Sequence, residues 1–148
     1  MKNYLLVLLI VSISLCSQTG NVVYKEESGF VTRIVDGDTF YFENKRVRLI
    51  GIDTPESYQE CYKEATEKLK ELILNRRVVL EKDILEADEY DRLLRYVYVN
   101  KTFVNLEMVK SGYAYSNEIE PDTKYSKQFE DAENFAMENK FGCLWNQR

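Results

Sequence analysis

The sequence predicts a small β-barrel capped by helices, folded as one domain. Three observations point there. Short runs rich in β-branched and aromatic residues recur with turn signals between them. Segments with a 3.6-residue apolar period follow and interrupt those runs. The 148 residues suffice for one buried core but not two. Hydrophobic residues make up 45% of the chain, with 11 Tyr, 7 Phe and 1 Trp, an aromatic supply that disordered chains lack.

The chain opens with a short basic start, Met1-Lys2-Asn3, and Tyr4 to Leu15 is a 12-residue apolar run followed at once by Cys16. A spanning helix needs ~20 apolar residues, so residues 1–15 are expected to be a signal peptide and the protein to be exported. Ile13-Ser14-Leu15-Cys16 resembles a bacterial lipobox, in which the cysteine is lipidated and becomes the mature N-terminus. On that reading Cys16 carries the lipid and the protein is held at the membrane of the cell envelope. Leu15 stands where the motif has a small residue, so cleavage by an ordinary signal peptidase after Ser14, giving a secreted protein, is the alternative. A buried N-terminal helix is a third. Gln18 to Ser28 is polar, so residues 16–29 are expected to be a tether and residues 30–148 the folded domain.

Phe30 to Val35 and Thr39 to Phe42 are β-rich runs separated by Asp36-Gly37-Asp38, and Asp-Gly between such runs is a hairpin signal. After a turn at Asn44-Lys45, Arg46 to Ile50 alternates polar and apolar residues as a third strand, completing a meander. Pro55 disfavours helix at Thr54, so the chain there stays extended or turned. A helix is expected from Lys63 to Leu74, with Ala65, Leu69, Leu72 and Ile73 on one face. Val78 to Leu85 and Arg92 to Val99 read as two more strands, joined by the acidic segment Glu86 to Asp91. A helix from Val104 to Ser111 stopped by Gly112, and another from Asp122 to Lys140 with Phe129, Ala132, Phe135 and Ala136 on one face, complete the domain. Five strands in this order with trailing helices suit the OB-fold, the five-stranded barrel that binds oligonucleotides.

With Cys16 modified, Cys61 and Cys143 remain, and an even pair in an exported protein reads as one disulfide, tying the start of the first helix to the C-terminal end. Two buried free thiols are the alternative. A zinc site is disfavoured, since there is no histidine and two cysteines cannot complete a tetrahedral shell. Removing residues 1–15 takes away Lys2 and no acid, which leaves 19 basic against 25 acidic residues and a net charge of −6. An acidic protein forgoes much of the non-specific attraction to phosphate backbones. The absence of histidine excludes Ser-His-Asp hydrolysis, Cys-His proteolysis and histidine-based nuclease mechanisms as usually built. Carboxylate and arginine chemistry remains.

That chemistry has candidates. Val35-Asp36-Gly37-Asp38-Thr39 places a carboxylate just past a tight turn, and Arg48-Leu49-Ile50-Gly51-Ile52-Asp53-Thr54-Pro55-Glu56 sets an arginine and two carboxylates around a strand end. Arg92 follows Tyr90-Asp91. Taken singly, Asp38 could be a turn residue, Asp53 a turn cap, Glu56 a solvated charge, Arg48 a surface strand arginine like Arg46, and Arg92 the partner of Asp91 or Glu89. Together they resemble the staphylococcal nuclease-like (thermonuclease) family over roughly Phe30 to Trp145. The resemblance implies an OB-fold five-stranded barrel with three helices.

It also implies that Asp38, Asp53 and the backbone carbonyl of Thr54 hold one Ca²⁺, whose preference is for oxygen ligands. Glu56 matches the residue proposed as general base, deprotonating or orienting the attacking water. Arg48 and Arg92 match the arginines that grip the phosphoryl oxygens, a task suited to a permanently charged fork. Tyr90 matches a tyrosine near the substrate phosphate. Tyr115 stands between stacking on a base and packing, and Trp145 reads as packing. The departures are a shorter stretch after Glu56, two cysteines that the family's type member lacks, and Leu93 in place of a glycine beside Arg92. The activity implied is a Ca²⁺-dependent phosphodiesterase, acting as a monomer, that cleaves DNA and RNA to 3′-phosphate products. A non-catalytic surface module binding nucleic acid or a host ligand is the competing reading, and a calcium-stabilised structural domain a further one. The full set of polar residues argues against both.

Overall fold

The computed structural model describes residues 27–146; the expected signal peptide and Cys16 lie outside the described residues. In chain order the elements are β1 (Glu27–Ile34), β2 (Thr39–Phe42), β3 (Lys45–Leu49), β4 (Ile52–Asp53), α1 (Tyr62–Ile73), β5 (Arg77–Glu81), β6 (Leu93–Val99), β7 (Thr102–Phe103), α2 (Val104–Lys110), β8 (Tyr115–Ser116), α3 (Ser126–Glu138) and α4 (Gly142–Trp145).

β1, β2 and β3 form the expected antiparallel meander, β5 joins β1, and β6 joins β5. β6 then runs parallel to β3, Val47 opposite Leu93 and Leu49 opposite Arg95, which closes five strands into the OB-fold barrel. Closure leaves no free edge between β3 and β6. β1 begins at Glu27, ahead of Phe30, because Glu27 to Phe30 pairs with Leu80 to Arg77 of β5. β5 ends at Glu81, short of the expected Leu85, because the amides of Ile84 and Leu85 turn away to the buried Asp122 carboxylate (2.8 and 2.9 Å). For the same reason Asp122 does not begin a helix, and α3 starts at Ser126. α4 and the two-residue strands β4, β7 and β8 are additions to the expected set. β7 returns on β6 through Asn100 and Lys101, both in the left-handed region (φ 47° and 73°), as a two-residue hairpin turn requires.

Alternation along the meander sends Phe40, Phe42, Val47 and Leu49 inward and leaves Tyr41, Arg46 and Arg48 on the outer face. The core is completed by Tyr96, by Ala65, Leu69 and Ile73 of α1, by Val104, Met108 and Val109 of α2, and by Phe129, Ala132 and Ala136 of α3. Phe135 departs from its expected place on that face; it is exposed and packs edge-on against Phe141 at 5.5 Å. Buried Asn105 stitches α2 to the barrel closure. Its Nδ2 donates to the carbonyl of Ile50 (2.9 Å) and its Oδ1 accepts from the amide of Val97 (2.9 Å), so the chain leaving β3 for the site starts from a fixed point. Cys61, which caps the start of α1, is disulfide-bonded to Cys143 in α4, with Cα atoms 5.5 Å apart.

Candidate active site

Two segments far apart in sequence meet because β2 and β3 are neighbours, with Thr39 opposite Arg48. The β1–β2 turn is folded by Asp36, whose Oδ1 accepts from the amides of Asp38 (3.2 Å) and Thr39 (2.8 Å). This local bonding is what short acidic side chains favour in turns. Asp38 is thereby carried into the protein, where its carbonyl accepts from the amide of Leu49 (2.9 Å). The amide and hydroxyl of Thr54 both donate to Asp38 Oδ2 (3.0 and 2.7 Å), and the Thr39 hydroxyl donates to Oδ1 (3.1 Å). Gly37 makes this approach possible, since a Cβ there would lie 2.8 Å from Thr54 Oγ1 and 2.9 Å from its Cβ.

Arg48 lies between the two acids. Its side chain is 13% exposed, its Nη2 donates to Asp53 Oδ1 (2.7 Å), and its Nη1 abuts Asp38 Oδ2 in an ion pair without hydrogen-bond geometry. It is no simple surface arginine, unlike the exposed Arg46. Burial first, and then the charge of Asp38, push the Asp36 carboxyl up to about 6.

Arg92 arrives from the β5–β6 loop. Its ion-pair partner is Asp88 and not Asp91 or Glu89: Nε donates to Asp88 Oδ2 at 2.7 Å, while the amides of Tyr90 and Arg92 both donate to Asp88 Oδ1 at 3.0 Å. Burial raises the Asp88 carboxyl, but the hydrogen bonds from Arg92 and Tyr90 outweigh it and hold the group below the usual carboxylate range. Asp91 is exposed, with φ 59°, and among the described residues forms no ion pair with Arg92. Nη1 of Arg92 reaches Thr39 Oγ1 only at the long limit of 3.5 Å. One polar network therefore runs from Arg92 through Thr39 to Asp38, Thr54, Arg48 and Asp53.

The remaining sequence candidates lie around it. Glu56 follows Pro55 into a turn closed by the Gln59 amide on the Glu56 carbonyl (2.8 Å); it is exposed, and among the described residues its carboxylate makes no hydrogen bond or ion pair. Tyr90 is 62% exposed, with the Arg92 guanidinium carbon 5.4 Å from its ring centre. Tyr115 is paired through its backbone with Asp53 (β4–β8) and packs edge-on against Trp145 at 5.7 Å, so it is adjacent to the site and also part of a packed aromatic pair. Sequence reasoning missed Asp36 and Asp88. Asp36 had a visible signal as the first acid of Asp-Gly-Asp; Asp88 meets Arg92 only once the turn between them has folded.

Asp38, Asp53 and the Thr54 carbonyl offer only hard oxygen donors, the chemistry a Ca²⁺ ion takes. The two carboxylates converge on the single guanidinium of Arg48, which shows that one positive charge can be shared between them. The donors present fit such an ion. Among the described residues no group of three or more acidic, cysteine or histidine side chains is gathered to hold an ion, so water and substrate would complete the shell. A concavity of about 790 Å³, lined among others by Glu81, Asp83, Glu86, Arg95 and Lys124, lies over β5 and β6 and does not include these residues.

A family model described as "Staphylococcal nuclease homologue" matches residues 46–147, a span that takes in Arg48, Asp53, Thr54, Glu56 and Arg92 and begins after Asp38. The chain is 34% identical over 125 residues to a thermonuclease of Staphylococcus hyicus, covering 78% of this chain and 74% of that protein. It is 34% identical over 131 residues to a thermonuclease of Staphylococcus intermedius, covering 82% and 77%. Against an endonuclease of Bacillus subtilis, YncB, it is 35% identical over 127 residues, covering 78% of this chain and 60% of that protein.

Proposed function

This chain belongs to the staphylococcal nuclease homologue family, and from that we propose that it is a Ca²⁺-dependent nuclease hydrolysing phosphodiester bonds of DNA and RNA. The observation that carries the reading is the single network joining Arg48 and Arg92 to Asp38, Asp53 and Thr54. Asp38, Asp53 and the Thr54 carbonyl would hold Ca²⁺, which when bound supplies positive charge against the phosphodiester.

Arg48 and Arg92 are assigned to the phosphoryl oxygens, where charge builds as phosphorus becomes five-coordinate. Arg92 suits this because its Nε is occupied by Asp88, which aims the guanidinium and leaves Nη2, and Nη1 beyond its long contact with Thr39, for the substrate. Glu56 stands with a free carboxylate at the solvent boundary, and its role is to take a proton from, or orient, the attacking water. Water adds to phosphorus as Glu56 takes its proton, the bond to the 5′-oxygen breaks, and that oxygen takes up a proton from solvent, leaving a 3′-phosphate and a 5′-hydroxyl. Tyr90 is assigned to the substrate phosphate and Tyr115 to a neighbouring base.

The 12-residue apolar run before Cys16 supports export, with Cys16 as the lipid attachment site, and the Cys61–Cys143 disulfide suits an oxidising compartment. Digestion of single- and double-stranded DNA and of RNA, with Ca²⁺ or with chelator, tests the proposal. Cleavage that needs Ca²⁺ and is lost in Arg92→Ala supports it; no cleavage of any polymer with Ca²⁺ present removes it.

A further inference from the structure

The outer face that carries Arg48 continues beyond it. Across the meander Arg33 is opposite Tyr41, and Tyr41 is opposite Arg46, so the three side chains form one row over β1, β2 and β3. Arg33 reaches that face only because of a β-bulge. Val31 is opposite Phe42 and Arg33 opposite Tyr41, which makes Thr32 an extra residue; strict alternation after inward Val31 would have turned Arg33 into the core. Bulges re-aim side chains in this way near functional sites.

The row alternates cation and aromatic ring. The Arg33 guanidinium carbon sits 4.1 Å from the Tyr41 ring centre. Arg46 lies on the other side of Tyr41, and its Nη2 donates to the carbonyl of Tyr90 (2.7 Å), the exposed tyrosine over which Arg92 sits. The adjacent row of the same face is Thr39 and Arg48, the floor of the site, one pleat repeat away at about 7 Å. Among the described residues neither Arg33 nor Arg46 forms an ion pair, in a chain of net charge −5.

We propose that Arg33, Tyr41 and Arg46 form a track, continuous with the site, for the flanking nucleotides of a single-stranded polynucleotide. The arginines meet successive phosphates, and Tyr41, half-exposed between them, takes a base against the part of its ring that Arg33 leaves uncovered. Interleaved cations and rings are the general device for holding single strands, because every base has a stacking face and every linkage a negative charge. A single row of three side chains, one per strand, fits one polynucleotide strand better than a duplex. This assignment rests on the nuclease reading for the direction in which the strand runs, but binding can be read without cleavage.

The test uses the protein with Glu56→Gln, in Ca²⁺, and a fluorescent oligothymidylate or oligouridylate dodecamer followed by anisotropy. Arg33→Ala and Tyr41→Ala should each weaken binding about 5-fold or more, and Arg33→Ala should lower the slope of log affinity against log salt by about 1. A matched duplex should lose less than the single strand. In the protein with native Glu56, both variants should leave kcat/KM on a dinucleotide substrate unchanged, since it is too short to reach the track. Unchanged affinity for the dodecamer overturns the track while leaving the nuclease reading intact. Equal losses on dinucleotide and dodecamer would place these residues in the cleavage site and likewise overturn it. If the unsubstituted protein cleaves nothing yet the variants lose oligomer binding, the track stands and the nuclease reading falls.

Discussion

Replacing Arg92 by alanine separates catalysis from stability. The side chain is 25% exposed and its charged partner Asp88 18%, so the ion pair is only partly shielded from water and contributes ~1 kcal/mol to folding. A domain with a stability of ~5–15 kcal/mol stays folded after that loss. The transition state loses more, because a preorganised cation directed at developing phosphoryl charge is typically worth ~10²–10³ in rate, or about 2.7–4 kcal/mol. The expected outcome is therefore kcat lower by at least ~10²-fold with a urea midpoint shifted by little. Single-turnover cleavage of an oligonucleotide in saturating Ca²⁺, beside a urea titration, measures both. Asp88→Asn refines the test: its Oδ1 can still accept from the Tyr90 and Arg92 amides, but its Nδ2 cannot accept from Arg92 Nε. The loop should keep its shape while turnover falls about tenfold. A rate for Arg92→Ala within about threefold of the parent would refute the assignment and return Arg92 to a surface ion pair with Asp88.

Other substitutions probe the rest of the network. Arg48→Lys should lower turnover by ~10-fold or more, because a point charge cannot stay paired with Asp38 and Asp53 and also present a fork to the phosphoryl oxygens, and steady-state kinetics would detect it. Asp53→Ala should abolish activity mainly through metal, so a Ca²⁺ titration should recover part of it, while Mg²⁺ should substitute poorly for either protein given its strict octahedral demand. Gly37→Ala should push Thr54 off Asp38, breaking contacts of 2.7 and 3.0 Å, and raise the Ca²⁺ concentration for half-maximal activity by about tenfold with a small change in Tm. Cys143→Ser opens a loop with a sequence separation of 82 residues, and the urea midpoint should report a loss of about 2–4 kcal/mol relative to the oxidised parent.

The barrel strands were legible because alternation in Thr39 to Phe42 and Arg46 to Leu49 is the direct imprint of one buried and one wet face. What was not legible depends on distant partners. β4 and β8 are two-residue strands that exist only as each other's pair, and the limits of β5 and α3 are set by Asp122 accepting from Ile84 and Leu85. The parallel seam between β3 and β6, and the bulge at Thr32, leave no local signal. The nearness of Asp38 to Arg48 was legible because Asp-Gly-Asp-Thr and Arg-Leu-Ile-Gly-Ile-Asp-Thr-Pro-Glu read as neighbouring strands of one meander, and Thr39 does lie opposite Arg48. Asp88 was not: in an acidic loop with Glu86, Glu89 and Asp91, only the folded turn decides which carboxylate meets Arg92. Phe135 was misplaced because helical periodicity marks a face and not where that face runs out of partners.

The central claim, that this network cuts phosphodiesters with Ca²⁺ held by Asp38, Asp53 and Thr54, is tested most directly by end-group analysis of a cleaved oligonucleotide, in Ca²⁺ and in excess chelator. The account predicts 3′-phosphate and 5′-hydroxyl ends with Ca²⁺ and intact substrate with chelator. Full cleavage in chelator, or 5′-phosphate ends, would contradict it.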